Sequence, residues 1–346
     1  MSHVSWFADL GLQDRPHVGG KGGSLGELQR AGIAVPPGFV LRTAAFECFL
    51  QGLEAAWPVR ERVAALGAEE LSSIAECCRE IRRRFEETAL PPALEAQIEA
   101  AHARLCELRR AAVAVRSSAT TEDASDASFA GLQDTYLWVQ DLSQVLRSVR
   151  SCWASLYSVE SVSYRRRRRL PEQGVAMAVV VQSMIDARTA GVMFTRSPTS
   201  GDRSVITVEG SWGLGSAVVG GEVTPDRWVI GKVTGEITVR EISDKAIRHA
   251  PAPEGGITAE PVAPALRRAP SLSDEELQAL RAIARRVERH YGCPQDIEWA
   301  IERTSGEVLL LQSRPETVWS AKESVPLATP AQNPLSHLMS IFGGGK

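Results

Sequence analysis

The segment from Asp296 to Pro315, DIEWAIERTSGEVLLLQSRP, constrains the fold most, because its alternation suits two strands joined by a tight turn. If Thr304, Ser305 and Gly306 form the loop, with the glycine left-handed, Trp299 is expected opposite Leu311 and Ile301 opposite Leu309 on an apolar face. The other face then carries Glu298 opposite Gln312 and Asp296 opposite Arg314. A loop with an even number of residues would put Glu298 and Gln312 on opposite faces. In the expected register, two carboxylates and an amide oxygen supply hard ligands for Mg²⁺, and the arginine offers a fork to phosphate oxygens. Taken alone, the same face suits an ordinary cross-strand ion pair.

At 346 residues the chain is too long for one compact core. We expect two subdomains, 1–180 and 181–318, the second carrying the hairpin, followed by a tail or linker over 319–346. The net charge of -3 gives no global attraction to nucleic acid or anionic lipid, so an anionic ligand must be held locally. The five arginines from Arg165 to Arg169 read as a solvated helix end, without the interleaved aromatics of single-strand binders. Neither nucleic acid nor a membrane is an expected partner. The six cysteines show no C-x-x-C spacing, the N-terminus lacks a leader pattern, and no apolar run approaches membrane-spanning length. The expectation is a cytoplasmic protein.

Along the chain, residues 24–31 are expected to be helical and to end at Gly32. Helices follow from about Thr43 to Arg110, broken at Pro91-Pro92. Strands are expected over 113–116, 135–139 and 175–185, with one long helix over 143–165 between the second and third of these. A strand-rich half then begins, interrupted by an amphipathic helix from Asp274 to Tyr291.

Two glycine-rich stretches bear on phosphate. Gly19-Gly20-Lys21-Gly22-Gly23-Ser24 runs into a helix N-terminus, where free N–H groups favour an anion and Lys21 adds a charge. It is not a Walker A loop, since Arg15 and Gly22 stand where glycine and Ser/Thr belong. GLGSAVVGG, 213–221, has Val218 where a dinucleotide fingerprint needs its third glycine, which leaves a glycine-rich cover or a pair of turns.

Several motifs in collinear order carry a resemblance: GGKGGSLGEL, VPPGFVL, VRSSATTEDASDASFAGLQDTYL, GVMFTRSP, WGLGSAVVGGEVTPDRWVI and DIEWAI followed by LLLQSRPET. Over about residues 5–318 the chain resembles the nucleotide-binding domain shared by phosphoenolpyruvate synthase, pyruvate phosphate dikinase and rifampicin phosphotransferase. The resemblance implies an α+β, ATP-grasp fold, with ATP between two subdomains and Mg²⁺ bridging its phosphates. Matched position by position, Lys21, Arg116 and Arg314 take phosphate-contacting places, with Gly131 and Thr135 against the polyphosphate. Gln182 takes the hinge place near adenine, and Glu298 and Gln312 take the metal-ligand places beside Asp296. Leu132 stands where relatives often have glutamine.

In the family a separate domain carries the histidine that accepts the β-phosphoryl group. Among His3, His17, His102, His249, His290 and His337, only the last has a faint likeness to that motif. The resemblance therefore implies an ATP-binding subunit of a split dikinase, with the carrier histidine on a partner subunit. The final acceptor is a small molecule bound by that partner, such as phenol or pyruvate, as in phenylphosphate synthase or phosphoenolpyruvate synthesis. A non-catalytic ATP-binding regulatory module and an N-terminal fragment of a longer enzyme are the alternative expectations.

Overall fold

Period-2 burial explains the first sheet. In β3, Val113–Ala119, the residues Val113 and Val115 pack into a helical core, while Ala114, Arg116 and Ser118 alternate onto the opposite face. The computed structural model describes residues 2–109, 112–119 and 134–319. Met1–Glu316 forms one compact unit; of the second, Thr317–Lys346, only residues 317–319 are described.

The five-stranded sheet runs in the order β1 (Val4–Trp6), β2 (Gly38–Leu41), β5 (Met177–Ser183), β3 and β4 (Thr135–Val139). All four neighbouring pairs are antiparallel. On one face lie α2 (Thr43–Glu54), α3 (Val59–Ala64), α4 (Leu71–Glu87), α5 (Pro92–Leu108), α6 (Leu142–Ser155) and α7 (Val159–Arg167). On the other face α1, Arg15–Arg30, packs Val18 and Leu25 against Val40, Ala178 and Val180. The expected boundary at 180/181 falls inside β5, which is continuous to Ser183. Residues 184–186 then cross to the second sheet.

That sheet has six strands in the order β13 (Val308–Pro315), β12 (Gln295–Glu302), β6 (Ala187–Phe194), β7 (Val205–Trp212), β8 (Asp226–Gly231) and β9 (Ile237–Glu241). Its apolar face buries Trp228 and Trp299 under Leu277, Leu280 and Ala284 of α10, Asp274–Tyr291. This helix has the expected bounds, with a capping box from Ser273 and Glu276 and a left-handed Gly292 at its end. Two short elements, α8 (Ser216–Val219) and α9 (Pro264–Arg267), and a hairpin of β10 (Ile247–Pro251) with β11 (Ile257–Pro261) complete the α-helices and strands of the described residues.

Three expectations are corrected. The helix expected over 143–165 is two helices, because Ser158 turns extended and its side chain accepts from Ser161 N, opening a new N-terminus. The helical region from Thr43 contains four helices, with a break at Pro58 as well as at Pro91. In the arginine run, Arg165 is buried and ion-paired with Glu172 at 3.2 Å, so this arginine belongs to the core and not to a solvated face.

Gly19 forms a kink inside α1. It has φ +71° and ψ 176°, and a Cβ there would lie 2.2 Å from the Ser118 carbonyl oxygen. Gly19→Ala is expected to destabilise the protein by roughly 3 kcal/mol, read as a lower denaturant midpoint with unchanged slope.

Candidate functional site

The hairpin of β12 and β13 reaches its expected pairing by a different route. Its loop has an even number of residues: Gly306 N donates to Glu302 O, and Ile301 pairs with Val308. Trp299 therefore opposes Leu310, not Leu311, and Ile301 opposes Val308, not Leu309. A bulge between Glu298 and Trp299 then leaves Leu311 as the extra residue and restores the pairs Glu298–Gln312 and Asp296–Arg314. Leu309 and Leu311 consequently turn to the face holding Ala190 and Ala300.

The bulge also re-aims a carbonyl. Arg116 Nη1 of the first sheet donates to Leu311 O at 3.0 Å, while Nη2 reaches Gln312 Oε1 at 2.6 Å and Glu298 Oε2 at 3.2 Å. A buried arginine on β3 thus meets two oxygen side chains of β12 and β13, although they lie nearly two hundred residues away in sequence. Its planar fork fixes that geometry as a lysine would not.

These groups line one cleft of about 520 Å³ between the two sheets. Lys21, Thr135, Gln182 and Arg314 line it too. Lys21 is buried on α1, which is tied to β3 by Gly22 N donating to Ser118 Oγ and to β13 by Ser24 Oγ donating to Ser313 O at 2.5 Å. Thr135 pairs with Arg116 in register, and Gln182 ends the buried strand just before the crossover. Arg314 sits half-exposed at the rim, its Nε 3.3 Å from Asp296 Oδ2. Gly131 lies outside the described residues. Sequence reasoning missed the apolar wall of Ile185, Leu214, Ile257 and Leu311, and a polar cluster of Ser216, Glu222 and His249 at the same cleft. No spacing announces that cluster, since α8, the turn after it and β10 meet only in the fold.

The donor set fits a divalent cation shared with phosphates. Asp296 Oδ1 and Arg116 Nε are buried polar atoms without a hydrogen-bond partner among the described residues. Burial pushes the Asp296 carboxyl above its ordinary range, against the opposing pull of Arg314. Among the described residues, no three His, Cys, Asp or Glu side chains converge on one metal position.

The Asp296 shift has a measurable sign. With a folded pKa above the unfolded one, ionisation of this group costs stability, and the cost is relieved as pH falls through the folded value towards the unfolded 3.8. Asp296→Asn is therefore expected to raise the melting temperature at pH 7, with the gain shrinking to nothing near pH 4. Thermal scans at both pH values check it.

An α+β chain with two sheets enclosing a cleft, cationic and oxygen-rich at one end and apolar beside it, defines a nucleotide-binding domain of the ATP-grasp class. The chain belongs to the family described as pyruvate phosphate dikinase, AMP/ATP-binding domain, which matches residues 15–333. It is 41% identical over 92% of its length to a probable phosphoenolpyruvate synthase of Methanothermobacter thermautotrophicus, covering 46% of that protein. Identity to the phosphoenolpyruvate synthase of Aeropyrum pernix is 39% over 95% of this chain and 44% of that one. For the Pyrococcus furiosus phosphoenolpyruvate synthase the figures are 33%, 91% and 44%. The chain thus spans less than half the length of these curated relatives. No helix among the described residues is long and apolar enough to cross a membrane.

Proposed function

We propose that this chain is the MgATP-binding part of a dikinase and delivers the β-phosphoryl group of ATP to a histidine on a separate partner subunit. The observation that carries the reading is the meeting of Arg116 with Glu298 and Gln312 across the cleft, since an anionic polyphosphate needs both its cationic clamp and its metal ligands in one place. Lys21, Arg116 and Arg314 would hold phosphate oxygens, and Glu298 and Gln312, with Asp296 beside them, would hold Mg²⁺. The cation would neutralise charge shared between phosphates. Gln182 and the crossover at 184–186 would border the base, with Leu214 and Leu311 supplying its apolar wall.

The atoms balance when the imidazole nitrogen attacks the β-phosphorus, the bridging oxygen departs with AMP, and water later releases the γ-phosphoryl as phosphate. None of the protein's own groups has to become covalently attached, so charge placement and exclusion of water suffice. The relatives' names support pyruvate and phosphoenolpyruvate, over phenol, as the acceptor system.

The test uses ATP labelled at the β-phosphorus. The chain alone is expected to form little AMP; with a partner that carries the histidine, the partner should acquire an acid-labile label. Rapid phosphorylation of a small acceptor by the chain alone, with ADP as the product, would contradict the proposal.

A further inference from the structure

Besides the phosphate-end groups Lys21, Arg116, Glu298 and Arg314, the ionisable side chains lining the cleft among the described residues are Glu222 and His249. His249 is almost wholly buried, and both its ring nitrogens are engaged: Nδ1 with Ser216 Oγ at 2.8 Å, Nε2 with Glu222 Oε2 at 3.2 Å. The backbone fixes it as well. His249 O accepts from Leu214 N at 3.0 Å, and a Cβ on Gly213, at φ +79°, would lie 2.5 Å from that oxygen. Glu222 is tethered through its own N–H to Ala217 O, and its side chain is 53% exposed. One carboxylate oxygen is thus held by a buried imidazole, while Oε1 stands over Gly220, a residue of the cleft wall.

An ionised carboxylate accepts hydrogen bonds and donates none, so it selects hydroxyl or amine donors and repels phosphate. Glu222 follows α8, at whose N-cap a Cβ on Gly215 would lie 3.5 Å from Ala190 of β6. We infer that Glu222 binds the ribose hydroxyls of the nucleotide and that His249, braced by Ser216, is its positioning residue. The inference rests on the nucleotide reading of the cleft and adds its sugar specificity.

Calorimetry on the full chain with Mg²⁺ tests it, comparing ATP, 2′-deoxyATP, 3′-deoxyATP and inosine triphosphate. The wild type should bind ATP on the order of tenfold more tightly than at least one deoxynucleotide, as expected of a partly exposed charged hydrogen bond. Glu222→Ala, at an exposed position, should erase that preference by weakening ATP and inosine triphosphate together while sparing the disfavoured deoxynucleotide, and His249→Asn should reduce it in the same selective way. A merely structural role would weaken every nucleotide by one factor. Equal wild-type binding of ATP and both deoxynucleotides overturns the ribose assignment alone. So does a uniform loss in the variants, or a variant effect that follows the adenine amine and not the sugar. A wild type that binds no ATP overturns the nucleotide reading and this inference with it.

Discussion

Arg116→Ala is expected to raise the Kd for MgATP on the order of a hundredfold, the largest effect of any single change on binding. The residue is 8% exposed, and its side chain rises from an interior strand and meets Leu311 O, Gln312 and Glu298 at once. In the proposed complex, removing it deletes a desolvated charge that would face both the polyphosphate and the residues proposed to hold the metal. Arg116→Lys should recover little of the loss, because a single ammonium cannot span two acceptors in a plane. Calorimetric titration of both variants, with circular dichroism to establish the fold, measures this.

Glu298→Gln is expected to be more severe for chemistry than for binding. The substitution keeps the volume and a hydrogen-bond acceptor towards Arg116 Nη2, but withdraws the negative charge from the pair Glu298–Gln312. Phosphoryl transfer to a histidine-bearing partner should fall on the order of a thousandfold. The melting temperature should move little, since the Arg116–Glu298 pair at 3.2 Å is only one of three anchors on that guanidinium. A quenched-flow measurement of β-label transfer, beside a thermal scan, separates the two.

Much of this site was legible because its chemistry is carried by period-2 strands. Alternation with an assumed three-residue loop paired Glu298 with Gln312 and Asp296 with Arg314, and these pairs stand. The loop length was misjudged, and a bulge at Leu311 compensates for it; a bulge leaves no mark in a run of three leucines. Its consequence, a carbonyl turned out of the ladder to accept from Arg116, depends on a strand far away in sequence. The helix Asp274–Tyr291 was readable to the residue from its amphipathic spacing, whereas the break at Ser158 was hidden inside a continuous apolar pattern. Ser216, Glu222 and His249 were invisible as a group, because their meeting depends on how β10 docks against the Gly213 turn.

The central claim is that the cleft between the two sheets is a MgATP site. Titrating ATP into the full chain with Mg²⁺, and again with excess EDTA, tests it most directly. The account predicts saturable one-to-one binding with Mg²⁺ and affinity weaker by about tenfold or more without it, because Glu298 and Gln312 then face the triphosphate with no cation between them. No heat at millimolar MgATP, or equal affinity in both titrations, would contradict it.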